Sequence, residues 1–350
     1  MNDLAKWDVH GAVETLRTEH VEWDLTLEQW KAAEYYGLVR FDADGRIVES
    51  ESHNRDGSIS GCRYIYDAAG RLQELQSEAI GGPTGTSIYG YDESGRLLRI
   101  ANVDADGTEH ESETYSYGPD GKTTKTYFLP KLEPNVGFAY AIDTTEQSYS
   151  ATGARSTATR YNGRGQPDEA LFYDGEHRLL RRVTFTRDSA GRLISEDSYL
   201  GEALPFPDGV KELENAPEEV REAATAAFAS LFGAGKVISS TTYSYDEKDR
   251  RVERRLRMSE LGDHRVTYVY DDRDRVIEET CEDTSRRMQI GEEGTLQTME
   301  ETSHTQHLRF EYQEDVQGNW TEKIVWIRQE PNPNFERSNA TRRAITYYPG

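Results

Sequence analysis

Aromatic residues recur two apart along this chain, each time just ahead of a polar turn: Tyr64/Tyr66, Tyr89/Tyr91, Tyr115/Tyr117, Tyr243/Tyr245, Tyr268/Tyr270 and Phe310/Tyr312. Residues two apart project from the same side of a strand, so each pair places two rings on one face of a sheet. The second aromatic of a pair opens a seven-residue motif: aromatic, Asp, two variable residues, Gly, Arg, aliphatic. The clearest copies are Phe41-Asp42-Ala-Asp-Gly45-Arg-Ile47, Tyr66-Asp67-Ala-Ala-Gly70-Arg71-Leu72 and Tyr91-Asp92-Glu-Ser-Gly95-Arg96-Leu97. Looser copies begin at Tyr117 (with Gly121), Tyr161, Tyr173-Asp174, Arg187 (with Gly191), Tyr245-Asp246 and Tyr270-Asp271, and Asp315-Val-Gln-Gly318-Asn-Trp320 closes the series.

The first three copies start 25 residues apart, as do Tyr245 and Tyr270. Further turns near the half-period, Asn54–Gly57 and Asp104–Gly107, reduce the unit to one strand and one turn. That spacing predicts an all-β fold of tandem β-hairpin repeats: a continuous antiparallel sheet, curved or spiralled. Asp starts each turn by folding back on the backbone, and Gly supplies the positive φ that the hairpin needs. Asp tolerates that conformation better than most residues, so Asp249 and Asp274 can stand where Gly is missing. The arginine after the turn is placed to lie over the rings or to bridge the turn aspartate.

Two stretches break the alternation. Over Asp24–Gly37, Thr26 and Gln29 form a capping box and Gly37 a stop, which predicts a short helix within an N-terminal cap spanning 1–40; a strand running into Tyr35-Tyr36 is the rival reading. The repeat domain then covers 41–350 as one continuous body. Within it lies one helical insertion at 204–236, where Asn215-Ala-Pro-Glu-Glu precedes an apolar face of Val220, Ala223, Ala224, Ala227, Phe228 and Leu231, with Gly233 after. This helix reads as a plug for an open edge of the sheet or as a partner-binding element. Leu129–Gly137 reads as a long loop.

Composition fits a thin, surface-rich structure. Hydrophobic residues make up only 35% of the chain and charged residues 30%, yet there are 21 Tyr, 10 Phe and 5 Trp. A tyrosine covers a sheet face with its ring while the hydroxyl stays wet. The net charge of −23 disfavours nucleic acid and anionic membrane surfaces as partners and suits solubility or a basic protein partner. With two cysteines, Cys62 and Cys281, there is no disulfide framework. No apolar leader or membrane-spanning run is seen, so the chain reads as cytoplasmic without membrane insertion, or as secreted or cell-surface if a leader has been removed.

Candidate chemistry is sparse. Asp42/Asp44 and Asp104/Asp106 open like calcium loops but lack the later bidentate acid, so hairpin turns account for them. His304 and His307 face opposite sides of a strand and lack a third ligand. No nucleophile elbow, phosphate loop, dinucleotide fingerprint or zinc-protease motif is present. The expectation is therefore a non-enzyme without cofactor or metal, with a carboxylate-pair hydrolase as the remote alternative. Trp320 and Trp326 share a face near the end of the chain. Trp326, with Val220, Phe228 and Leu231, is a candidate partner contact.

The motif residues resemble the YD repeats of Rhs proteins, of insecticidal toxin-complex shells and of teneurins, from about Phe41 to Trp320. The Gly318-Asn-Trp320-Thr-x-Lys323 element and the ending Arg342-Arg343-Ala-Ile345-Thr-Tyr347-Tyr348 resemble small stand-alone bacterial members. In the large relatives the repeats wind into a hollow shell around a toxin and end in a self-cleaving core, of which no copy is found before Gly350. The resemblance implies a binding scaffold with a protein partner in a toxin, secretion or competition system, in a shell-like, chaperone-like or immunity role. A carbohydrate-binding module, with glycans stacking on the sheet aromatics, is the alternative.

Overall fold

The computed structural model describes all residues except 1–2, 54–57, 80–84, 119–122, 129–139, 142–147, 150–153, 202–216, 259–261, 291–295 and 350; for some others, including 34–36, 228 and 231–232, the backbone alone is described. The fold is nearly all-β, a long antiparallel sheet with a single described α-helix. The chain forms two compact units. One comprises Met1–Ser112, Arg275–Glu278 and His307–Gly350; the other Glu113–Asp274 and Glu279–Gln306.

In the first unit, strands Glu34–Phe41, Ile47–His53, Ile59–Tyr66, Leu72–Ala79, Gly85–Tyr91 and Leu97–Val103 pair in chain order. In the second, Thr123–Phe128, Ser156–Tyr161, Pro167–Tyr173, Leu179–Arg187, Leu193–Leu200, Val237–Tyr245, Arg251–Met258 and Gly262–Tyr270 do the same. Each unit has its own core. The first gathers Leu4, Val9, Val13, Leu16, Val39, Phe41 and Ile47, and the second Phe172, Val183, Phe185, Leu193 and Tyr243.

The repeat motif builds one kind of turn. At Asp67 the backbone N–H donates to Arg71 O and Gly70 N–H donates back to Asp67 O, while Gly70 takes φ of 74°. The ladder slips by one residue at the motif aromatic, so that Tyr66 faces Leu72 and Tyr91 faces Leu97. This is a three-residue hairpin loop closed by a bulge, which needs the left-handed residue that glycine supplies. A side chain on Gly70 would also meet Arg46 at 2.7 Å. Asp249, Asp274 and His177 hold the same conformation without glycine, at φ of 63°, 64° and 62°.

The turn aspartate is fully engaged. Asp67 Oδ1 accepts the N–H groups of Ala69 and Arg71, and Oδ2 accepts Arg71 Nε at 2.8 Å. Asp42, Asp92, Asp174, Asp188 and Asp246 repeat the pattern with Arg46, Arg96, Arg178, Arg192 and Arg250. The arginine then reaches the next motif. Arg46 lies 5.2 Å from the Tyr66 ring centroid, Arg71 4.6 Å from Tyr91, Arg192 5.2 Å from Tyr245, Arg250 4.8 Å from Tyr270 and Arg275 4.8 Å from Tyr312.

Each of these tyrosines donates its hydroxyl to the carbonyl just past that arginine: Tyr66 to Ile47, Tyr91 to Leu72, Tyr245 to Leu193, Tyr270 to Arg251 and Tyr312 to Val276, at 2.6–3.0 Å. Where Arg187 replaces the tyrosine, its Nη2 donates to Pro167 O, the equivalent carbonyl, at 3.3 Å. Aspartate, arginine and the next tyrosine thus form one brace between successive turns. Charge-assisted bonds and ring contacts reinforce each other because the same guanidinium makes both.

The helix expected over 24–37 is a hairpin instead. Trp23-Asp24 pairs with Gln29-Trp30, the Trp23 and Trp30 rings meet edge to face at 5.0 Å, and Asp24 Oδ1 accepts Thr26 and Leu27 N–H in an Asx turn. Cross-strand pairing of two indoles outweighs a local capping box. Gly37 does not stop a helix but lies within strand Glu34–Phe41. The expected insertion helix is present as Glu218–Phe232, with Ala224 buried and Val220 half-buried. Asn215, the Leu129–Gly137 loop, the Asn54–Gly57 turn, Gly121 and the side chains of Phe228 and Leu231 lie outside the described residues. No described helix is long and apolar enough to cross a membrane.

Candidate functional site

Several residues that depart from the repeat come together in the first unit, where the strand near the start of the chain pairs with the last strand. Strand Val13–Asp24 lies between Glu34–Phe41 and the last strand, Glu336–Tyr347. Ahead of it, residues 3–12 are tied down at several points. Asp3, nearly buried, donates its N–H to Gly45 O and accepts Ile47 N–H, which fastens the chain start to the first motif turn. Asn319, 1% exposed, accepts His10 N–H at 2.7 Å and donates to His10 O at 2.9 Å and to Tyr347 Oη at 2.7 Å. Tyr347 donates its own hydroxyl proton to Asp315 Oδ2 at 2.5 Å. Burial opposes ionisation of Asp315, but the Tyr347 hydroxyl and the turn N–H groups outweigh it and hold its carboxyl below the ordinary range.

Trp320 Nε1 donates to Asp8 Oδ2 at 2.8 Å, and the Arg343 guanidinium lies 3.4 Å from the Trp320 ring centroid while donating to Asp8 O. Burial lowers Arg343 to about 10, against the opposing pull of Asp8 and Tyr312. Asn319 and Trp320 of the Gly318–Lys323 element and Arg343 and Tyr347 of the ending thus clasp the start of the chain.

Beside this clasp is a half-open groove of about 300 Å³. Its floor follows from strand register. Arg343, Thr18, Gly37, Ser52 and Ser60 lie opposite one another in a row, and Val39, Ser50 and Cys62 form the next row on the same face. Trp7 and Trp320 contribute to its walls. A side chain at Gly37 would approach Glu51 O to 2.9 Å, so only glycine fits there and the floor stays flat. The lining is small hydroxyls, aliphatic carbons and indole, with Glu51 and Arg343 as its charged members. Such a surface binds by shape and apolar burial, and its volume suits one large side chain or one sugar ring.

The sequence candidates fare unevenly. Among the described motif residues, Tyr66, Tyr91, Tyr245 and Tyr270 and the turn aspartates and arginines given above occupy the turn braces. Trp320 joins the groove. Trp326 stands elsewhere in the same unit, between arginines, 4.8 Å from Arg337 and 5.1 Å from Arg309. Val220 belongs to the second unit, on the helix. Among the described residues no cluster of three or more ligating side chains could hold a metal ion. Asp42 and Asp106, which open like calcium loops, spend oxygens on turn N–H groups.

One group has no obvious mark in the sequence. Glu196, in the second unit, is 2% exposed; Oε1 accepts the Tyr243 hydroxyl at 2.8 Å, and among the described residues Oε2 has no partner. Burial raises its carboxyl to about 7, with Tyr243, Arg251 and Arg254 pulling the other way. The alternation in Leu193-Ile-Ser-Glu196-Asp-Ser198-Tyr-Leu200 is the available signal, since it puts Glu196 on the same face as Leu200.

No family model matches the sequence, and no curated protein matches it. Solved structures with some likeness include a porin-like protein from Bacteroides uniformis, at 10% identity and a TM-score of 0.33, covering 97% of this chain and 100% of that one. TcdB2-TccC3 is 13% identical with a TM-score of 0.23; 86% of this chain is covered but only 20% of that one. A porin-like protein from Bacteroides vulgatus is 8% identical with a TM-score of 0.23, covering 95% and 98%. At such identities and scores these likenesses carry no functional conclusion.

Proposed function

We propose that the chain is a non-catalytic scaffold of YD-repeat type that binds a protein partner, in a shell-like, chaperone-like or immunity role in bacterial competition. The observation that carries this reading is the groove beside the terminal clasp, walled by Trp7 and Trp320 and lined mostly by uncharged small residues. Most conspicuous residues of the repeat are engaged within the sheet, whereas this surface is apolar and open. The occupant is one large apolar side chain from a partner segment, and the net charge of −23 favours a segment with basic flanks.

The test is Ser60→Trp, which fills the groove from a half-buried floor position. Binding to the co-expressed products of adjacent genes, measured by calorimetry, is expected to weaken by about 10- to 100-fold with the melting temperature unchanged, a loss of about 1.4–2.7 kcal/mol. Equal binding by wild type and Ser60→Trp contradicts the reading, as does the absence of any partner among those products. The two indole walls also favour a glycan as the second reading, which the same pair of proteins on a glycan array distinguishes.

A further inference from the structure

Most arginines of this chain meet their charge within the fold. The turn arginines close on aspartates, and strand arginines reach across to glutamates, as in Arg40–Glu49 at 3.0 Å, Arg99–Glu109 at 3.0 Å and Arg342–Glu322 at 2.8 Å. Arg309, Arg328 and Arg337, all in the first unit, differ. Their guanidiniums alternate with aromatic rings. Arg337 lies 4.9 Å from Trp23 and 4.8 Å from Trp326, Arg309 5.1 Å from Trp326 and 5.0 Å from Phe335, and Arg328 5.2 Å from Phe335. Among the described residues neither Arg328 nor Arg337 has a carboxylate within ion-pair distance, and the nearest for Arg309 is Glu311 at 3.5 Å. Among the described residues the Nε atoms of all three, and Trp326 Nε1, are buried without an acceptor, a state that Arg187 and Arg343 Nε share.

A ring beside a guanidinium stabilises it without neutralising it. Three cations in one stack repel one another, and a buried N–H with no acceptor is costly. The chain has 64 carboxylates, yet among the described residues Glu311 beside Arg309 is the one that comes within ion-pair distance of these three cations. The rings flank the guanidiniums at 4.8–5.2 Å, and Arg309 remains 39% exposed. Planar guanidiniums held in this way present paired donors that match the oxygens of a carboxylate, sulfate or phosphate.

We propose that Arg309, Arg328 and Arg337, held by Trp23, Trp326 and Phe335, form a binding site for an oxyanion, either the carboxylate of an acidic side chain or a free inorganic anion. The site is separate from the groove and stands or falls independently of it.

Tryptophan fluorescence and thermal melting, followed while sodium sulfate or a capped oligoglutamate peptide is titrated against sodium chloride at matched ionic strength, test the proposal. A saturable change at Trp23 and Trp326 and a raised melting temperature are expected. A response to sulfate alone assigns the site to free anions, to the peptide alone assigns it to acidic polypeptide, and to both assigns it to oxyanions in general. The double variant Arg328→Gln/Arg337→Gln is expected to weaken the response at least tenfold. Should that variant fail to fold, Arg328→Lys/Arg337→Lys keeps the charge, loses the paired donors and is expected to weaken it at least threefold. No saturable response beyond chloride, or an unchanged response in the folded variant, overturns the proposal.

Discussion

Replacing Asn319 with alanine is expected to release residues 3–12 from the fold. The side chain is buried and makes three hydrogen bonds, two to the His10 backbone and one to Tyr347. Its loss strands buried donors and acceptors on both sides of the clasp, a cost of about 3 kcal/mol. Backbone amides of residues 3–12 should exchange with solvent about 100-fold faster, since that cost converts to roughly two decades in the opening equilibrium. Repeat turns such as Asp67–Arg71 should keep their protection. Exchange within threefold of wild type throughout residues 3–12 would show that Asn319 does not anchor the clasp.

The second large effect is a dependence on pH. Glu196 sits near 7 in the fold against an ordinary value of 4.5, chiefly because of burial. A carboxyl raised in this way favours folding fully below about 4.5 and loses that contribution as the pH rises through about 7. A shift of this size corresponds to about 3 kcal/mol. Glu196→Gln cannot ionise and keeps an acceptor for Tyr243, though its amide N–H groups inherit the unpartnered position. The variant should therefore be about 2 kcal/mol more stable than wild type at pH 8 and no more stable at pH 4.5. Chemical unfolding of the two proteins, followed by circular dichroism, measures the difference. A stability gap that does not change between the two pH values would mean that Glu196 does not titrate there.

The turn aspartates act in the opposite sense. The N–H groups of Arg71, Arg96 and Arg178 at the turn ends hold Asp67, Asp92 and Asp174 below 3.8, and the Arg192 side chain does the same for Asp188. Their contribution is complete above that value and is lost as the pH falls through the lowered ones. The protein should accordingly be most stable in mildly acid solution.

The sequence reveals what the chain decides locally. The Asp-x-x-Gly-Arg turns, their positive φ and the strands between them depend on residues within five positions of one another. They are legible for that reason, down to Asp249 and Asp274 standing in for glycine. The helix expected near Thr26 does not form because its rival, the Trp23–Trp30 pair, is made across strands. The terminal clasp joins His10 to Asn319, and no periodicity announces a partner 309 residues away. The arginine–aromatic stack leaves a faint trace: Trp326-Ile-Arg328 and Phe335-Glu-Arg337 each put a ring and a guanidinium two residues apart. The third arginine, on another strand, comes only from the fold.

Aspartate, arginine and the next tyrosine act as one brace, so the most conspicuous residues of the repeat are poor candidates for function. A double-mutant cycle on Arg250→Gln and Tyr270→Leu, read by equilibrium unfolding, tests it most directly. The guanidinium lies 4.8 Å from the ring and also pairs with Asp246 and Asp274. The brace predicts a favourable coupling of about 0.5–1.5 kcal/mol between the two side chains. Effects that add to within about 0.3 kcal/mol would contradict it, and would make the repeat arginines and tyrosines candidates for binding again.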